Sequence, residues 1–443
     1  MDLSSQRQYI QRAINVKYSF AATTKQTIYT APTGDDFDFA IIQGFVACDH
    51  GNQQTNLTEL VGWYKQAKAR FDEDPGFKKR SQLQVVALQG GDYAARHAWK
   101  VICDVSRKGF NQVYSMLGVN LIERGESFYN DSLPGIIDDL EKQSLLTESD
   151  GAKCVYLDNF KNRDNEPLPL IAQKSDGGFN YSTTDLAALK YRCQTEHADR
   201  IIYITDAGQS LHFQMVFETA RQAKFIDVDK VSAEHASFGL VLNEDGKKFR
   251  TRSGESIRLQ DLLDEAVSRA KAILNERNAD WAEAEINHAA TVLGIAAVKY
   301  ADLSNNRTSD YKFSFDRMLQ FEGNTAAFIL YSYVRTQSII RKTGISVADI
   351  GVENMNLQHS SEISLGFHLA RFSDVIEKLA KDLMPHYLTD YLFETAQRFN
   401  AFFRDCRVEG VAEQSSRLLL CELTGMIIQT GLRVLGIDCL SRM

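Results

Sequence analysis

The sequence predicts an α/β domain built on a parallel sheet, followed by an all-α bundle. Three observations carry that expectation. Between about residues 150 and 250, short apolar runs of strand length alternate with helix-like segments, the pattern of strand–helix–strand units. After residue 258 nearly every segment has a helical period. The chain has only six prolines, and Pro385 alone lies beyond residue 170, so little interrupts those helices. At roughly 150 residues per domain the length suggests two or three domains, and a hydrophobic fraction of 44% is ample for their cores.

The elements follow in chain order. Residues 1–55 show no helical period, although FDFAIIQGFVAC (37–48) reads as a buried strand. NLTELVGWYKQAKARF (56–71) places Leu57, Leu60, Val61, Tyr64, Ala67 and Phe71 on one helix face. AWKVICDVSRKGFNQVYSML (98–117) repeats that pattern and stops before Gly118, a natural C-terminal cap. Strands are expected at 152–157, 168–174, 200–205 and 235–242, with helices near 184–194 and 210–223. Amphipathic helices are expected at 259–277, 281–301, 324–343, 364–382, 384–403 and 415–435. The domain reading is a divergent segment over 1–55, an α/β domain over 56–258, a helical connection over 259–320 and a helical domain over 321–443.

Charge and cysteine usage narrow the function classes. Fifty basic against 58 acidic residues give a net charge of −8, so any nucleic-acid binding must come from local patches. Seven scattered cysteines without a Cys-x-x-Cys pair argue against a zinc ribbon or a disulfide scaffold and fit a reducing compartment; no metal site is expected. No apolar run approaches the ~20 residues of a membrane span. The N-terminus lacks the apolar core of a secretory signal. Its only early acidic residue is Asp2, with none before Asp35, which leaves an organellar address open beside a cytoplasmic one.

Three stretches could carry chemistry. In KSDGGFNYSTTDLAAL (174–189), a Gly-Gly turn precedes a helix start that Thr183 or Thr184 can cap. Tyr181 and Asp185 are four apart there, a ring beside a carboxylate, which suits a flat guanidinium. The strand ending at ITDAGQSLHFQ (204–214) brings Asp206, Gln209 and His212 to a helix start, and open α/β sheets bind ligands beyond the carboxyl ends of their strands. GKKFRTRSGE (246–255) is a basic loop between strand and helix, with Ser253 and Gly254 offering backbone N–H groups to an anion. Standard phosphate loops, dinucleotide turns, zinc-protease and serine-hydrolase motifs are absent.

In this order the three stretches resemble the arginyl-tRNA synthetases, a class I aminoacyl-tRNA synthetase family, most closely of eukaryotic type. KSDGGFNYSTTDLAALKYR is similar to the segment after that family's connective insertion, which would here occupy about 120–172. IIYITDAGQSLHFQ looks like its next strand and helix, and DGKKFRTRSGE like its divergent Lys-Met-Ser-Lys-Ser loop. VKYADLSNNRTSDYKFSFDRML, GNTAAFILYSYVR and SSRLLLCELTGMIIQTGLRVLGI resemble the lead-in and body of its helical anticodon-binding domain. The likeness runs from about residue 57 to Met443.

The resemblance implies a class I nucleotide-binding sheet and a helical anticodon-binding bundle. It implies arginine, ATP with Mg2+, and an arginine-specific tRNA as partners of a monomer. Tyr181, Asp185 and Gln209 would bind arginine. His212, Phe249 and Arg250 would bind ATP, with Arg250, Thr251 and Arg252 acting on its phosphates. Tyr331, Tyr333, Arg335 and Arg341 would contact tRNA. The family also opens its fold with a His-Ile-Gly-His segment, which does not occur in this sequence; His50, in ACDHGNQQ, is the only histidine of residues 1–55. The incomplete sheet implies a chain that is an arginine–tRNA ligase by family and low in activity as written. The alternative is a non-catalytic tRNA- or protein-binding module.

Overall fold

The computed structural model describes residues 29–30, 57–247 and 258–443. They form two compact units, one of 29–30, 57–203 and 208–235, the other of 204–207, 236–247 and 258–443. The strand expected over 37–48 lies outside the described residues.

The first unit opens with β1 (Tyr29–Thr30) and three helices, α1 (Leu57–Glu73), α2 (Pro75–Gln89) and α3 (Tyr93–Met116). α1 has the expected inward face, with Leu60, Ala67 and Phe71 buried. Phe77 of α2 joins Ala67 and Phe71 in a small separate core. α2 has a local cause: the Asp74 carboxylate accepts from Phe77 N at 3.0 Å, and Pro75 occupies the first position, where a missing N–H costs nothing. α3 begins five residues before the expected 98, because Asp92 caps it by accepting from Ala95 N at 2.8 Å. It ends at Met116 with Leu117 as its C-cap, and Gly118 follows at φ +61°.

β2 (Ile122–Glu123) pairs in parallel with β1. A 3-10 turn over 126–132 leads into α4 (Leu133–Lys142), which buries Leu133, Ile136, Ile137 and Leu140. β3 (Thr147–Ser149), β4 (Ala152–Lys161) and β5 (Pro167–Gln173) then form an antiparallel meander. The strands expected at 152–157 and 168–174 therefore exist but do not belong to a parallel sheet. The reason is connection length: only 162–166 separate β4 from β5, and a parallel crossover needs about a dozen residues. The parallel unit comes later, as α5 (Tyr181–Gln194), β6 (Arg200–Tyr203), α6 (Ser210–Gln222) and β7 (Ser232–His235). β6 and β7 pair in parallel from Arg200↔Ser232 to Tyr203↔His235, with α6 as the crossover. Leu186, Leu189, Val216 and Ala220 pack with Leu140, Val155 and Leu157 into one core.

In the second unit the strand expected over 235–242 is split. Phe238 makes a single parallel bridge with Asp206, and β8 (Val241–Leu242) pairs with β9 (Tyr311–Lys312). α7 (Leu259–Arg277) and α8 (Glu283–Leu303) pack closely at Gly294, where a Cβ would come within 2.7 Å of Val267 Cα. α9 (Phe315–Met318), α10 (Ala326–Thr343), α11 (Ser360–Leu369), α12 (Phe372–Asp382), α13 (His386–Asp405) and α14 (Gln414–Val434) complete a helical bundle. The single helix expected over 364–382 is two, interrupted at Ala370 and Arg371. Tyr300, Phe399 and Phe402 are fully buried at the centre. Glu362, 1% exposed, pairs with Arg417 at 2.6 Å and so ties α11 to α14.

Candidate functional site

The first candidate site sits where two helices begin. The Gly177-Gly178 turn closes on Lys174, whose N–H donates to Gly178 O at 2.9 Å. The cap of α5 is Asn180, not Thr183 or Thr184: its side-chain oxygen accepts from Ser182 N at 3.1 Å. Thr183 is buried instead, with its hydroxyl donating to Ala172 O of β5. That anchor fixes the first turn, so Tyr181 stands outermost, 59% exposed, and Asp185 lies one turn further in.

His212 enters from the first turn of α6. Its Nε2 lies 2.7 Å from Asp185 Oδ2, with the two side chains 17% and 26% exposed. The Tyr181 ring meets the imidazole edge-on, 4.8 Å between centroids. Phe213 lies 5.0 Å from the same imidazole and is itself buried. Gln209 is exposed at the start of α6, one turn before His212. The structure thus brings Tyr181, Asp185 and His212 into contact and leaves Gln209 at the rim of the same helix start. An ionised carboxylate has about four lone-pair sites, and among the described residues His212 is the one side chain bonded to Asp185. The remaining sites can accept a planar cation, with the Tyr181 ring beside it.

Asp206 belongs to the other unit, where its backbone pairs with Phe238. Phe249, Arg250, Thr251 and Arg252 lie outside the described residues. Before residue 248, Asn243 closes a turn by accepting from Lys247 N at 2.8 Å; after residue 257, Arg258 pairs with Asp261 at 2.7 Å at the start of α7.

The second candidate site lies on α10. Tyr331 is 39% exposed, and the Arg335 guanidinium stacks over its ring at 4.8 Å and over Phe403 of α13 at 5.1 Å. Arg335 also donates to Asn400 Oδ1 at 2.9 Å and to the Tyr331 hydroxyl at 3.1 Å. Arg341 is exposed in the last turn and donates to Ser338 Oγ at 3.0 Å. Tyr333, expected among the tRNA contacts, is buried instead. It is 9% exposed, its hydroxyl accepts from Gln429 Nε2 at 3.1 Å, and burial pushes its phenol up. Sequence reasoning missed Phe403 and Asn400. The signal was available in the period of α13, where Phe399 and Phe402 face inward and Phe403 outward.

Comparison with known proteins places these features. A family pattern described as "tRNA synthetases class I (R), catalytic domain" matches residues 34–315, and the "DALR anticodon binding domain" pattern matches 329–443. An arginine–tRNA ligase of Protochlamydia amoebophila is 54% identical over 395 residues, covering 89% of this chain and 68% of its own length. One from Nostoc punctiforme is 51% identical over 394 residues, covering 88% and 67%. Among solved structures, the arginyl-tRNA synthetase of Plasmodium falciparum superposes with a TM-score of 0.83 at 31% identity, covering 98% of this chain and 73% of that one. The Thermus thermophilus arginyl-tRNA synthetase shares the fold, with a TM-score of 0.72 at 19% identity over 94% of this chain and 75% of that one. These relatives do not single out a eukaryotic type.

Proposed function

The chain belongs to the class I tRNA synthetase family for arginine, and on that premise we propose that it activates arginine with ATP and transfers it to an arginine-specific tRNA. The observation that carries the arginine half is the Asp185 carboxylate, held by His212 and edged by the exposed Tyr181 ring. A guanidinium presents its N–H groups as a planar fork that a carboxylate matches with two parallel bonds, and lysine cannot reproduce this. Gln209, at the rim, supplies a further polar contact to the same side chain.

In the first step the arginine carboxylate attacks the α-phosphorus of ATP in line and pyrophosphate leaves. In the second, a hydroxyl of the terminal tRNA ribose attacks the activated carbonyl and AMP leaves. Little of this is covalent chemistry by the protein: rate comes from positioning and from positive charge around the phosphates. Phe249, Arg250, Thr251 and Arg252 are the residues we assign to the triphosphate, with Mg2+ arriving as part of the nucleotide substrate. The sequence lacks His-Ile-Gly-His, the partner loop on the other side of the nucleotide, so exchange by this chain is expected to be slow. Each missing donor in such a clamp costs about 3–4 kcal/mol of transition-state stabilisation.

Tyr331, Arg335 and Arg341 are the proposed tRNA contacts of the bundle, with Phe403 and Asn400 holding the Arg335 plane. The working boundaries are 56–258 for catalysis, 259–320 for the connection and 321–443 for the anticodon domain, in a cytoplasmic monomer. Among the described residues no helix is long and apolar enough to cross a membrane. The test is arginine-dependent ATP–pyrophosphate exchange with tRNA present. Exchange that depends on arginine supports the proposal. Retention of tRNA with no exchange at any enzyme concentration would favour the non-catalytic binding module.

A further inference from the structure

We infer that His212 is the positioning residue of the arginine pocket, acting through Asp185, rather than a contact of the nucleotide. The inference rests on the reading of Asp185 as the guanidinium site. Three observations carry it. His212 Nε2 lies 2.7 Å from Asp185 Oδ2, and because a carboxylate only accepts, the imidazole must be the donor. Among the described residues two aromatic rings also flank the imidazole, Tyr181 edge-on at 4.8 Å and Phe213 at 5.0 Å. Asp185 is three-quarters buried, and the next buried layer behind the imidazole is Phe213, itself packed against Phe217 and against the His235 ring at 4.9 Å. An imidazole held this way has little freedom to swing toward a second ligand.

The physical effect is orientation. A carboxylate at the start of a helix can rotate about two side-chain bonds, and a substrate must freeze both. A donor fixed to one oxygen sets the plane beforehand and leaves the other lone pairs for the guanidinium fork. This is the same service a second ligand-holding residue gives a metal-bound side chain. The ordering occurs before substrate arrives, so the gain appears in arginine affinity. α5 and α6 pack against each other, so residues 27 apart in sequence meet at their starts.

The experiment is calorimetry on the full chain with arginine, with its neutral isostere citrulline, and with a non-hydrolysable ATP analogue. Four proteins are compared: the wild type, His212→Ala, His212→Gln and Asp185→Asn. Glutamine keeps an N–H donor at the length of Nε2. The inference expects His212→Ala to weaken arginine about tenfold, the loss of one hydrogen bond to a charged group. His212→Gln should recover most of that loss, citrulline should bind weakly to all four, and the nucleotide analogue should bind His212→Ala as it binds the wild type. Unchanged arginine affinity in His212→Ala, or a loss confined to the nucleotide analogue, overturns the inference. If Asp185→Asn also binds arginine like the wild type, the reading of the pocket itself fails. If Asp185→Asn loses arginine while His212→Ala does not, only the positioning role fails.

Discussion

Replacing Arg417 with alanine should destabilise the helical bundle by about 3–5 kcal/mol, the range for breaking a buried ion pair from one side. The value follows from what the substitution leaves behind. Glu362 is 1% exposed, and its carboxylate accepts from Arg417 Nε at 2.6 Å, from Gln358 N at 2.8 Å and from His359 N at 2.9 Å. Burial by itself would raise this carboxyl, but Arg417 and the two backbone N–H groups outweigh burial and hold it below the usual carboxylate range. Without Arg417 the charge stays buried with the backbone bonds alone, and the Arg407 carbonyl also loses the donor it has at 2.6 Å. In the wild type a lowered folded-state pKa means stability that is present above the unfolded carboxyl's range of about 4.3 and lost as pH falls through the folded value. The cost of Arg417→Ala should therefore be largest at neutral pH and shrink on acidification, as protonation removes the stranded charge. Urea denaturation followed by helical circular dichroism at several pH values measures this. Glu362→Gln closes a double-mutant cycle. A cost below about 1 kcal/mol at neutral pH, typical of an exposed pair, would refute the reasoning.

Three further outcomes follow from the packing. Gly294→Ala places a methyl 2.7 Å from Val267 Cα, so the α7–α8 contact must open, and thermal denaturation should show about 1–3 kcal/mol of lost stability; an unchanged midpoint contradicts the close approach. Replacing Arg335 and Arg341 together with alanine should weaken tRNA retention and flatten its dependence on salt, because each cation that contacts a phosphate adds about one unit to the slope. Identical slopes in a filter-binding series would reduce both arginines to decoration of the bundle. Burial pushes the Cys421 thiol up to about 12, so it should resist alkylation in the native protein and react only on unfolding; peptide mapping after brief iodoacetamide treatment checks this.

Legibility in the sequence followed how local the cause was. The span of α7 is the expected 259–277 because Leu263, Ala266, Ala270 and Leu274 recur on one face without proline or glycine. α2 was missed although Asp74-Pro75 is a local start signal, since its apolar residues do not form a clean stripe. The strands at 152–157 and 168–174 are legible in the sequence, but their antiparallel pairing follows from the short link at 162–166, not from the alternation of strands and helices. Residue type alone does not separate Tyr333 from Tyr331; helix geometry does. Two residues along a helix turn about 200°, so the two rings cannot share a face, and the structure buries the second. The Asp185–His212 contact is not legible in the sequence, since it depends on how α5 and α6 pack against each other. The partnership of these two side chains is a tertiary fact.

Recognition of arginine for attachment to tRNA is tested by aminoacylation with isotopically labelled arginine and cognate tRNA, run beside labelled lysine and beside Asp185→Asn. The expected result is slow, ATP-dependent labelling of the tRNA by arginine, none by lysine, and loss of the arginine signal in Asp185→Asn. Labelling by arginine that is undiminished in Asp185→Asn, or equal labelling by lysine, would contradict it.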